Sequence, residues 1–163
     1  MTTQLGCEKR AFVGASSDGG EDYRAIVKFI IEFLGERGIE VRSQHNGSLE
    51  PVKTFLKMVG DPTRTDDNSF RDTDCKWIEE DDLFIAEASH RSTGLGAEFH
   101  HARLKPRLGL PLTPILVVHQ PGCYVSPMLK GISKSEEGYI WIRKYANPEE
   151  LRGILLEFLA RFG

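Results

Sequence analysis

The chain has 163 residues, with 21 lysines and arginines against 24 aspartates and glutamates and a formal net charge of −3. That length suits one domain over residues 1–163 with a proper core, and the mixed charge gives no basic face for duplex nucleic acid. Met1 to Arg10 holds no apolar stretch of leader length, no run approaches a bilayer span, and Cys7, Cys75 and Cys123 form neither a disulfide framework nor a paired zinc motif, so a cytoplasmic protein with reduced thiols is expected.

Ala11-Phe12-Val13-Gly14-Ala15 reads as a short buried strand running into the glycine-rich turn Ser16-Ser17-Asp18-Gly19-Gly20. Ile26, Phe29, Ile30, Phe33 and Leu34 repeat at helical spacing, which predicts a helix from Glu21 to Arg37 with Gly38 as its stop. Ile39 to Ser43 is the second strand. The stretch from Asn46 to Asn68 is the least regular: a short helix over Val52 to Val59, a break at Gly60-Asp61-Pro62, then a loop through Thr65-Asp66-Asp67-Asn68-Ser69. Such a segment is a candidate lid.

Phe70 to Glu80 reads as a helix and Leu83 to Ala88 as the third strand. A helix over Ala97 to Leu104 follows, ended by Pro106. Pro114 to Val118 is the fourth strand, followed by Gln120-Pro121-Gly122, and Gly138 to Ile142 is the fifth. Asn147 caps a last helix that has Pro148 at its first position and Leu151, Leu155, Phe158 and Leu159 as its buried stripe. The alternation predicts an α/β, doubly wound, flavodoxin-like domain with a five-stranded parallel sheet. In such sheets the ligand crevice lies outside the carboxyl ends of the strands, where the first and third strands run into glycine-rich turns.

The turn after the third strand carries the chemistry. Gly94 and Gly96 let the backbone turn tightly and approach a ligand, and Glu98 follows where the helix is predicted to begin. The positive end of the helix dipole is expected to keep that carboxylate ionised. A fixed carboxylate beside a phosphate-friendly loop suits attack on a sugar carbon, and cleavage of a glycosidic bond asks for a second carboxyl as acid. Asp74 is the choice among Asp72, Asp74, Glu79, Glu80, Asp81 and Asp82, because Trp77 and Ile78 lie one helical turn away on the face that packs inward. The Ser16 to Gly20 turn offers backbone N–H groups to a phosphate but lacks the Gly-Lys-Ser/Thr ending of a P-loop. Either glycine-rich stretch is also compatible with a bare strand-to-helix turn. His45, His90, His100, His101 and His119 make no zinc pattern, and Glu98 with His101 is a single Glu-x-x-His pair, so no metal site is expected.

These residues resemble the nucleoside 2-deoxyribosyltransferase-like proteins, and among them the 2′-deoxynucleoside 5′-phosphate N-hydrolase branch. The strongest stretch runs from Asp74 through Trp77 and Ala86-Glu87 to Ser92-x-Gly94-x-Gly96-x-Glu98. Phe12-Val13-Gly14, Gly19-Gly20-Glu21-Asp22 and Ser126-Pro127-Met128 add weaker matches in the right order.

The resemblance implies hydrolysis of the N-glycosidic bond of a 2′-deoxyribonucleoside 5′-monophosphate, with no metal or organic cofactor. Glu98 would attack the anomeric carbon and form a covalent intermediate, and Asp74 would assist departure of the base. Gly14, Ser16, Ser17, Gly94 and Gly96 would line the substrate. His45 would lie near the base, and Ser92 would hold the 5′-phosphate. Ser126 would be a second phosphate ligand reaching from a neighbouring subunit, with Met128 at the same contact, in a homodimer or larger assembly. The chain departs from the family at two places. The tyrosine expected just before the first strand's glycine is Ala11, or Phe12 in a shifted register, and the arginine expected in the first glycine-rich loop is replaced by Ser17-Asp18. Arg91, beside Ser92, is the expected substitute for that cation, since a guanidinium grips phosphate through paired hydrogen bonds. Two alternatives stay open: a transferase that passes the intermediate to a second base, and a nucleotide-binding protein without catalysis. An unrelated flavodoxin-like regulatory domain would not explain the Gly-x-Gly-x-Glu sequence.

Overall fold

The computed structural model describes residues 9–59 and 67–163. Five strands form one parallel sheet in the order β2-β1-β3-β4-β5: β1 Arg10–Ala15, β2 Glu40–Val41, β3 Leu83–Glu87, β4 Ile115–His119 and β5 Ile140–Lys144. The helices are α1 Glu21–Gly35, α2 Pro51–Val59, α3 Asp67–Glu80, α4 Thr93–Leu104, α5 Pro127–Lys130 and α6 Pro148–Phe162. This is the doubly wound, flavodoxin-like arrangement expected from the alternation of strands and helices. Among the described residues no helix is long and apolar enough to cross a membrane.

The central strands are apolar on both faces because both faces are covered. Ala11, Val13, Leu83, Ile85, Leu116 and Val118 point to one side, where they pack on α1 and α6. Phe12, Phe84, Ala86, Ile115, Val117 and Ile140 point to the other, against Ile78 of α3, Leu95 and Phe99 of α4, and Leu129 of α5. The alternation settles a question of register. Phe12, not Ala11, shares the face of the sheet that α4 covers, and it stacks on Phe84 with centroids 5.6 Å apart. A hydroxyl reaching toward α4 would have to come from position 12, which carries none.

Several element boundaries differ from the sequence expectation for local reasons. β2 is only two residues long because the Ser43 side chain takes up the main chain of β1, accepting from Val13 N at 2.8 Å and donating to Val13 O at 3.1 Å. The helix predicted from Ala97 starts at Thr93. Ser92 is its N-cap, and the Ser92 hydroxyl accepts from Leu95 N at 3.1 Å. Gly94-Leu95-Gly96 is therefore the first turn of a helix and not a free loop. α3 begins at Asp67, so Asp67, Asn68 and Ser69 are helical. Residues 44–47 form a single 3-10 turn, and α5 is a short helix the sequence did not announce. Asn147 caps α6 as expected, accepting from Glu150 N at 2.9 Å. The predicted break at Gly60-Asp61-Pro62, the loop residues Thr65 and Asp66, and Cys7 lie outside the described residues.

The chain leaves β1 toward β2 on one side and leaves β3 toward β4 on the other, so the strand order reverses between β1 and β3. Open α/β sheets bind ligands at such a point, beyond the strand ends.

Candidate active site

A cavity of about 630 Å³ opens at that point, within the size range of small-molecule sites. Its near wall comes from the end of β1 and the start of α4: Ala15, Ser17, Asp18, Ser92, Gly94 and Glu98. Its far wall comes from α2 and the start of α3: Pro51, Val52, Leu56, Asp67 and Phe70. Asn46 and Arg91 also line it.

Glu98 projects from the second turn of α4 toward β1. Its Oε2 atom is buried and, among the described residues, has no hydrogen-bond partner. The approach depends on Gly14, where a Cβ would stand 2.9 Å from Glu98 Oε2 and 2.7 Å from Leu95 Cδ1. Gly94 and Gly96 are not required in this way. A Cβ at Gly96 would meet nothing within 4 Å, and one at Gly94 would make only an ordinary contact with Ser92 Oγ.

The expected ionised state of Glu98 is not what the structure gives. Burial, and then the charge of Asp74, push its pKa up to about 8. The reason is position: Ser92 is the cap and Glu98 lies beyond the first turn, where the helix dipole has faded, while desolvation acts in full. Asp74 is buried as expected, 5% exposed, with Oδ1 unpartnered, and burial pushes its pKa up to about 7. It does not line the cavity. Phe70, one helical turn earlier on α3, does, so Asp74 lies on the same helix face, one turn farther along α3. From there its charge contributes to the rise in the Glu98 pKa.

The remaining sequence-selected residues divide into three groups. Ser17, Arg91, Ser92 and Gly94 line the cavity with Glu98. Ser16 and His45 do not. The Ser16 hydroxyl is turned inward, donating to Arg91 O at 3.3 Å and accepting from Asp18 N at 3.2 Å. His45 is fully buried among Phe55, Phe70 and Trp77, and neither ring nitrogen has a partner. Burial, and then the Arg24 charge, lower its pKa to about 4, so the ring is neutral. Gly96, Ser126 and Met128 belong to a second cavity of about 420 Å³, which shares Arg91 and Ser92 with the first. Between the two cavities the Arg91 guanidinium lies over the Tyr124 ring, 4.5 Å from its centroid. His101 turns away from Glu98 and pairs with Glu79 Oε1 at 3.0 Å.

The sequence reading marked most of the far wall only as part of the irregular candidate lid from Asn46 to Asn68 and named none of its residues as lining the substrate. Val52, on that wall, is 54% exposed. Asn46 was likewise not named as a lining residue; its Nδ2 donates to Val13 O at 2.9 Å. Because that carbonyl can only accept, the orientation of the amide is fixed and its side-chain oxygen stays free as an acceptor.

No protein-family profile matches the chain. It is 30% identical over 152 residues, 93% of this chain and 84% of the relative, to a protein of Methanosarcina mazei provisionally named 2′-deoxynucleoside 5′-phosphate N-hydrolase 1. A relative of the same provisional name from Nematostella vectensis is 29% identical over 150 residues, 92% of this chain and 93% of the relative. The 5-hydroxymethyl-dUMP N-hydrolase of Rattus norvegicus is 28% identical over 138 residues, 85% of this chain and 77% of the relative. Among solved structures, the CMP N-glycosidase of Clostridium botulinum superposes with a TM-score of 0.63 at 19% identity, covering 92% of this chain and 99% of that one, which shows the shared fold. With relatives aligned over most of its length, the chain belongs to the 2′-deoxynucleoside 5′-phosphate N-hydrolase family.

Proposed function

We propose that the protein hydrolyses the N-glycosidic bond of a 2′-deoxyribonucleoside 5′-monophosphate, releasing the free base and 2-deoxyribose 5-phosphate. The observation that carries this reading is the Glu98 Oε2 atom, buried, without a hydrogen-bond partner among the described residues and held against Gly14 in the wall of a nucleotide-sized cavity, with the Asp74 charge contributing to its raised pKa.

Glu98 attacks C1′ of the sugar. The C1′–N bond breaks, its electron pair leaves with the base, and Asp74 supplies the proton that neutralises it. Water then attacks the deoxyribosyl ester, the Glu98 carboxylate departs, and the water proton returns to Asp74. Covalent capture divides one difficult step into two, and the absence of a 2′-hydroxyl eases formation of the oxocarbenium-like transition state.

The pair needs one proton, carried by Asp74. Burial pushes both carboxyls above the ordinary carboxylate range, Asp74 to about 7 and Glu98 to about 8, so a proton is available to the two groups near neutral pH.

The 5′-phosphate is taken by the start of α4, through the Ser92 hydroxyl and main-chain N–H groups of its first turn, with Arg91 as the adjacent cation. The base lies against the apolar side of α2 and Phe70. Ser126 and Met128 act from a neighbouring subunit in a homodimer or larger assembly. The first test is incubation with the four deoxynucleoside monophosphates and their parent nucleosides. Free base from at least one monophosphate, lost in Glu98→Gln, supports the reading; no free base from any of them refutes it.

A further inference from the structure

Arg24 is a buried cation without a carboxylate partner. It is 2% exposed and sits in the first turn of α1, the end of a helix that disfavours positive charge. Its guanidinium is occupied by main-chain oxygens. One terminal nitrogen donates to Asn46 O at 2.7 Å, the other donates to Ser16 O, and Nε has no partner. Among the described residues it forms no ion pair with a carboxylate; Asp18 is the acid whose charge it feels. A desolvated charge in this condition is costly, and a local rule broken at the edge of a cavity points to function.

The two carbonyls that Arg24 holds belong to the segments that shape the cavity. Ser16 precedes Ser17 and Asp18, and these and Asn46 itself lie in the wall. Arg24 does not touch the cavity. It joins the end of β1 to the turn after β2 from behind, and it places a positive charge under a loop whose one exposed acid, Asp18, opposes an anion.

We propose that Arg24 is a positioning cation for a phosphomonoester: it offsets Asp18 and holds the Ser17–Asp18 main chain where the 5′-phosphate of the substrate docks. This rests on the deoxynucleotide reading and adds a second source of positive charge to Arg91, one acting through the loop rather than by contact.

The test compares wild type, Arg24→Gln, Arg24→Lys and Asp18→Asn in two ways. The first is kcat/KM for a deoxynucleoside monophosphate and for its parent nucleoside. The second is the Kd for inorganic phosphate by calorimetry, with melting curves for each variant. Arg24→Gln is expected to lower the monophosphate-to-nucleoside ratio roughly tenfold or more, mainly through KM, and to weaken phosphate binding in parallel. Arg24→Lys is expected to retain most of the ratio. A brace with no electrostatic part would lower both rates together and leave the ratio and the phosphate Kd unchanged, and that result overturns the proposal. Asp18→Asn changes an exposed loop residue and covers the case in which Arg24→Gln does not fold. With Arg24 unopposed, phosphate binding tightens several-fold, and an unchanged Kd overturns the proposal. If wild type cleaves neither substrate, the deoxynucleotide reading fails by itself, and the phosphate titrations still decide the role of Arg24.

Discussion

Gly14 and Glu98 are fitted to one another: a Cβ on Gly14 would stand 2.9 Å from Glu98 Oε2, inside any normal contact. The strand gives up a side chain so that a carboxyl on the neighbouring helix can lie against its backbone. Gly14→Ala is therefore expected to displace Glu98 and the Leu95 methyl together. Overpacking of this kind costs about 1 to 3 kcal/mol of stability. Misplacing the reactive group by a fraction of an ångström is expected to cost roughly a hundredfold in kcat. Steady-state kinetics beside a thermal melt separates the two effects, and a variant with unchanged kcat would show that Glu98 need not occupy this position.

On the proposed mechanism the two carboxyls set the pH dependence of the reaction. With burial pushing Asp74 up to about 7 and Glu98 up to about 8, the singly protonated pair is expected in neutral to mildly alkaline solution. Below that range both groups carry protons and no nucleophile is present; above it both are ionised and no acid is present. A bell-shaped profile of kcat/KM with its maximum in neutral to mildly alkaline solution is expected, its limbs belonging to the pair and not to either residue alone.

The same shifts bear on stability. Both carboxyls hold their protons more tightly folded than unfolded, so between about pH 4 and pH 8 the native chain binds more protons. Stability from this source is greatest in acid and is lost as the pH rises through that interval. Glu98→Gln and Asp74→Asn are each expected to flatten the fall of Tm between pH 5 and pH 9. Each is expected to melt above wild type at pH 9, by a free energy on the order of 2 to 4 kcal/mol. Parallel Tm curves for wild type and variants would show that the two groups ionise freely in the folded chain.

Much of this was legible in the sequence, because it is local. The strands are short apolar runs and the helices repeat at 3.6 residues, so element order and sheet type follow directly. Glu98 and Asp74 were picked out by type and spacing, and Gly14 through the family resemblance. What the sequence could not carry depends on distant partners. The Ser92 hydroxyl moves the start of α4 by capping Leu95 N. Phe55, Phe70 and Trp77 enclose His45 from α2 and α3 and take it off the cavity wall. The protonation of Glu98 is reversed by desolvation, which no spacing rule measures.

Arg91 tests the phosphate side of the account. It lines the cavity while its guanidinium rests on Tyr124, a stacked position that leaves the N–H edge free for an anion. Arg91→Ala is expected to lower kcat/KM for the monophosphate by roughly ten- to a hundredfold, with a much smaller effect on the parent nucleoside. Equal losses on both substrates would remove Arg91 from phosphate recognition.

Hydrolysis and base transfer share the first half of the mechanism and separate at the intermediate. With a free acceptor base present at millimolar concentration, the expected products remain free base and deoxyribose 5-phosphate. Chromatographic detection of a new nucleotide carrying the added base would place the chain with the transferases.

The central claim is that Glu98 forms a bond to C1′, and the most direct measurement is peptide mass spectrometry after reaction with a 2′-fluoroarabino nucleoside 5′-monophosphate, whose fluorine slows breakdown of a sugar ester. The expected result is one fluorodeoxyribosyl-phosphate adduct per chain, mapped to the peptide containing Glu98 and absent from Glu98→Gln. Release of base with no adduct, or an adduct on any other residue, would contradict it.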